Sequence, residues 1–94
     1  MLSTRQLAPR AVSELLRGQP LSPAKVRFAW RTTVGSSMAQ ATSVALDANG
    51  TLLVRADGEH WRRETARSAG VIAQRLGDLL GKQVVKRVTV RRNW

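Results

Sequence analysis

After Ser22 the apolar residues recur at steps of three and four, and that spacing predicts a helix. Ser22 offers an N-cap hydroxyl, and Pro23 suits the first helical position, where its missing N–H is no loss. Val26, Ala29, Trp30, Thr33 and Val34 form the apolar stripe, while Lys25, Arg27, Arg31 and Thr32 fall off it. Met38 lies one turn beyond Val34, so the helix either stops at Gly35 or runs on to about Ala39. Upstream, Pro9 opens a shorter helix with Val12, Leu15 and Leu16 on one face, closed by Gly18 and Pro20.

From Thr42 the period changes to two. Val44 and Leu46 alternate up to the turn sequence Asp47-Ala48-Asn49-Gly50, and Leu52, Val54 and Ala56 alternate on the return. Leu53 and Arg55 take the other face of that hairpin. Asp57 or Gly58 then begins the longest helix, to about Leu80, with Trp61, Thr65, Ala69, Ile72, Leu76 and Leu79 or Leu80 in one stripe. Gly70 and Gly77 weaken it by about 1 kcal/mol each against Ala, which suggests close packing at both. Gly81 is suited to end it. Gln83 to Arg92 alternates again, Val84, Val88 and Val90 facing one way and Val85, Arg87, Thr89 and Arg91 the other. The expected fold is α+β in the order α-α-β-β-α-β. Helices on one face of a three-stranded sheet, Trp30 and Trp61 buried beneath them, leave Arg55, Arg87 and Arg91 on an open face.

Ninety-four residues make one domain, expected over 1–94 with its core at about 10–92 and no linker or tail. A chain of that size has little core from which to carve a deep substrate cavity. Composition is 43% hydrophobic but only 4% aromatic, so Leu, Val, Ile and Ala must fill most of that core. Sixteen Lys and Arg against six Asp and Glu give a net charge of +10, and Arg outnumbers Lys thirteen to three. Such a balance points to a polyanion or an acidic protein as partner, contacted by bidentate guanidinium groups. A basic surface that serves only solubility is the competing explanation.

Candidate chemistry is sparse. Without Cys there is no disulfide framework, thiolate metal site or thiol nucleophile. His60, the single His, has Asp57 and Glu59 beside it in sequence and Asp47 within imagined reach across the hairpin. No nucleophile signature or metal-ligand spacing accompanies them, and a solvated helix start accounts for both acids. The expectation is no enzyme, no metal, no cofactor and no small-molecule substrate. Met1 to Arg10 lacks the apolar run of a secretory signal, and no segment approaches ~18 apolar residues. A cytoplasmic protein with no membrane partner is expected.

The Arg residues carry the functional expectation. Arg62, Arg63 and Arg67 cluster within two turns of the long helix, and Lys82, Lys86, Arg87, Arg91 and Arg92 load the last strand. Dispersed cations of this kind hold a phosphate backbone without reading sequence. By local density the helix set is favoured over Arg55, Arg87 and Arg91. The α/β order is KH-like, but the Gly-x-x-Gly loop that clamps single strands in such domains is missing, which predicts weak binding.

Trp30-x4-Gly35, then Ala41-Thr42-Ser43, Gly50-Thr51-Leu52-Leu53-Val54, Trp61 near the start of a long helix, Leu76, Leu79-Leu80-Gly81 and a Val-rich final strand are spaced in a familiar order. The chain resembles the DciA family over roughly residues 10–92. The resemblance implies a KH-like domain that partners the bacterial replicative DNA helicase, assists its loading and has some affinity for single-stranded DNA. It implies no enzymatic activity. Many members carry a long basic extension beside this domain, whereas these residues are expected to be the domain alone. A stand-alone RNA- or DNA-binding module unrelated to replication is the alternative, and a small hydrolase built on His60 the third.

Overall fold

The computed structural model of the chain describes residues 20–91. Ser22 caps the first helix, its Oγ accepting from Lys25 N at 3.1 Å, and Pro23 opens α1 (Pro23–Val34). Gly35 resolves the choice left open by the sequence: at φ +87° it ends α1, and a second short helix, α2 (Ser36–Gln40), begins beyond it. The helix expected from Pro9 to Gly18 lies outside the described residues, as do Arg92 and Trp94.

The hairpin forms as its alternation demands. β1 (Thr42–Leu46) and β2 (Thr51–Ala56) pair antiparallel, with Val44 opposite Val54. Asp47 C=O accepts from Gly50 N, and Gly50 takes the left-handed conformation at φ +82°, so Asn49 keeps a negative φ. Glycine is required there: a Cβ would stand 2.9 Å from Lys86 Cγ. Gly50 C=O also accepts from Lys86 N at 2.7 Å and Arg87 N at 3.2 Å, tying the turn to the start of the last strand.

The long helix expected from Asp57 to Leu80 is two helices, α3 (Gly58–Arg67) and α4 (Ala69–Leu80), with Ser68 between them at φ −95°, ψ 2°. The buried Thr65 hydroxyl donates to Trp61 C=O at 2.7 Å just before the break, a back-bond that bends helices. α3 packs on β2 and β3, whereas α4 packs on α1 and β3, so the change of direction lets one apolar stripe serve two sets of neighbours. Close packing explains neither glycine. A Cβ at Gly70 would meet open space, and at Gly77 only ordinary van der Waals contact.

The final strand is shorter than Gln83–Arg92. β3 (Arg87–Arg91) runs parallel to β2, and the sheet order is β1-β2-β3. Residues 82–84 form a turn instead, which drives Val85 into the core at 3% exposure and removes it from the face it was assigned. Leu52, Val54, Leu76, Ala29 and Trp30 make the centre of that core, with Val26, Ile72 and Leu80 around them. Trp30 is 2% exposed as expected, but Trp61 is only half-buried and stands edge-on to His60. Lys25, placed off the α1 stripe by its spacing, is buried.

Candidate partner and nucleic-acid interface

Two basic surfaces compete for the role the composition suggests. The first is the open sheet face. Parallel register sets Arg55 beside Arg91 and Thr51 beside Arg87, while Leu53 lies between Ala45 and Thr89 at the centre. Arg55, Arg87 and Arg91 are exposed, and none of the three strands contains an acidic residue. Arg87 Nη1 donates to Thr51 Oγ1 at 2.7 Å, which orients that guanidinium along the strand start. Like charges on directly neighbouring strand positions repel, so the Arg55–Arg91 pair carries a cost that an anion between them relieves.

The second surface is α3. Helical spacing brings Arg62, Arg63 and Arg67 together as the sequence suggested, but it also brings their counterions. Glu59 pairs with Arg62 through Oε2 and with Arg63 through Oε1 at 3.8 Å, and Glu64 pairs with Arg67 at 3.4 Å. Three guanidinium groups thus face two carboxylates, leaving one net positive charge. Arg62 is further withdrawn, its side chain 23% exposed against 69% for Arg63 and Arg67. Such surface pairs are individually weak, but they lower the potential an incoming anion meets. Local density along the sequence favoured α3; pairing in space moves the weight to the sheet face.

A groove of about 610 Å³ lies between α4 and the start of β3, lined by Ala69, Gly70 and Gly77 of α4 and by Lys82, Lys86 and Arg87. None of its lining residues is acidic. The sequence reading missed a further group on α1: Arg27 and Arg31, with Phe28 between them 48% exposed. The available signal was an aromatic residue off the apolar stripe, flanked at helical spacing by two cations.

The acids near His60 do not converge on it. Asp47 Oδ1 is taken up by the turn, accepting from Asn49 N at 2.8 Å and Thr51 N at 3.0 Å, while Glu59 pairs with Arg62 and Arg63. His60 is exposed, its ring 5.1 Å from that of Trp61. Among the described residues no group of three or more His, Cys, Asp or Glu is placed to hold a metal ion. Among them, too, no helix is long and apolar enough to cross a membrane.

No curated protein and no solved structure matches the chain. The model of the family described as "Dna[CI] antecedent, DciA" matches residues 3–90, which takes in all but one of the residues the structure describes. The chain belongs to the DciA family, a family of adaptors associated with loading of the replicative helicase in DNA replication.

Proposed function

We propose that this chain is a non-enzymatic cytoplasmic adaptor that binds the replicative DNA helicase, assists its loading on DNA and holds single-stranded DNA weakly through its open sheet face. The observation that carries the DNA contact is the set Arg55, Arg87 and Arg91 on strands without a carboxylate. Cations fixed on paired strands need no loop ordering, and they meet a phosphate chain without reading its bases. The absence of a Gly-x-x-Gly clamp keeps that contact weak. Family membership supports the helicase as partner.

The test is co-sedimentation of the full chain with purified replicative helicase, followed by helicase assembly on a single-stranded circle with and without the chain. Binding with faster assembly is the expected result. DNA binding without any helicase association would favour a stand-alone nucleic-acid module and end the adaptor reading.

A further inference from the structure

We infer that the free edge of β1 is a docking site for an extended acidic segment of a partner protein, which adds to the sheet as a fourth strand beside β1. The site lies opposite β3 across the sheet, so the inference stands apart from the DNA contact proposed above.

The ladder fixes which groups are free. Asp47 N donates to Thr51 C=O, and Asp57 N donates to Ala41 C=O. Hydrogen-bonded pairs alternate along an antiparallel ladder, so Ser43 and Ala45 also bond to β2, while the N–H and C=O of Thr42, Val44 and Leu46 point to the outer edge. Among the described residues, the strand at that edge lacks the charged and Pro protection that edge strands usually carry. Thr-Ser-Val-Ala-Leu has no charge, no Pro and no Gly, whereas β3 at the other edge is bracketed by Arg87 and Arg91.

Space and chemistry agree with the edge. A groove of about 470 Å³ runs beside Thr42, Ser43 and Val44, walled by Arg27, Phe28 and Arg31 of α1. A second, of about 440 Å³, continues it from Val44 past Leu46 to Leu21, which is 55% exposed. Together they leave room along the whole strand, with an exposed apolar side chain at each end. Arg27 and Arg31 form no ion pair with a carboxylate among the described residues. An alternation of donors and acceptors matches a peptide backbone, whereas a phosphate chain offers acceptors only. A second copy of this chain would bring its own α1 cations against the same rim, so charge selects an acidic partner over self-pairing.

The experiment uses the full chain and an acetylated, amidated seven-residue peptide alternating glutamate and valine, with a lysine–valine analogue and a version N-methylated at alternate residues. Amide exchange is followed residue by residue. The glutamate peptide should slow exchange of the Thr42, Val44 and Leu46 N–H groups at least tenfold and leave Ser43 and Ala45 unchanged; the N-methylated peptide should not. Arg27→Glu with Arg31→Glu should weaken the glutamate peptide at least tenfold and strengthen the lysine peptide, with no change in thermal midpoint. Any of three results overturns the inference: binding that survives N-methylation, protection of the same amides by oligothymidylate alone, or a dimer of the chain abolished by Phe28→Glu. Failure of the glutamate peptide to bind at millimolar concentration overturns it equally.

Discussion

Trp30 and Thr42 hold the helical layer to the sheet: the indole Nε1–H donates to Thr42 Oγ1 at 2.8 Å, and the same hydroxyl donates to Met38 C=O at 2.7 Å. One side chain at the start of β1 thus satisfies a core indole and one carbonyl at the end of α2.

Replacing that hydroxyl tests the relay. Thr42→Val keeps the shape but leaves the indole N–H of Trp30 buried without an acceptor, which costs roughly 1–3 kcal/mol. Thr42→Ser retains the donor and acceptor and should lose far less. Urea unfolding followed by fluorescence measures both, and equal midpoints for wild type and Thr42→Val would remove the relay from the account of stability.

The two large indoles should separate by their burial. Trp30→Ala opens a cavity in the core and should cost about 3–5 kcal/mol, comparable to the whole stability of a small domain. Trp61 is half-buried beside His60, so Trp61→Ala should retain far-ultraviolet circular dichroism and a cooperative melt. Loss of folding in both variants alike would show that Trp61 is as deeply packed as the stripe on α3 first implied.

Glycine substitutions should move stability in opposite directions. Gly35 stands at φ +87°, where a side chain is strained even in open space, so Gly35→Ala should destabilise by roughly 1–3 kcal/mol. Gly70 is helical and faces open space, so Gly70→Ala should stabilise by up to about 1 kcal/mol. Thermal melts of the two single variants read the signs directly. A destabilising Gly70→Ala would contradict the open space around that position.

These cases also mark what the sequence could disclose. Ser22-Pro23, the alternation around Asp47–Gly50 and the stripe through Leu76 report local geometry, and each produced its element. The Ser68 break did not show, because the stripe of three- and four-residue steps passes through it unbroken; the bend goes with the Thr65 back-bond and with the different packing partners of α3 and α4. Val85 misled for a related reason. Alternation assigned it to the Arg87 face, but the bonds from Lys86 N and Arg87 N to Gly50 C=O start the strand later, and that depends on a turn far away in sequence. At the candidate site the spacing of Arg62, Arg63 and Arg67 was legible, and so were Glu59 and Glu64 between them. What spacing could not give was the parallel register that sets Arg55 beside Arg91.

Charge reversal on the two basic surfaces decides between them. Arg55→Glu with Arg91→Glu removes two cations from a face without carboxylates, whereas Arg63→Glu with Arg67→Glu acts where Glu59 and Glu64 already offset the field. All four side chains are exposed, so neither double variant should shift the thermal midpoint by much. If four phosphates are held on a single strand, log K should fall with log salt at a slope of about −3, since each contributes roughly 0.7. The sheet variant should lose affinity for oligothymidylate and flatten that slope by about 1.4 for two lost contacts. The α3 variant should keep most of its affinity and its slope. Fluorescence anisotropy over a salt series measures both quantities on the same samples. An α3 variant that loses as much as the sheet variant would show that the whole basic field attracts DNA, with no contact localised on the strands. Unchanged binding in both would leave the basic surface with no part in holding DNA.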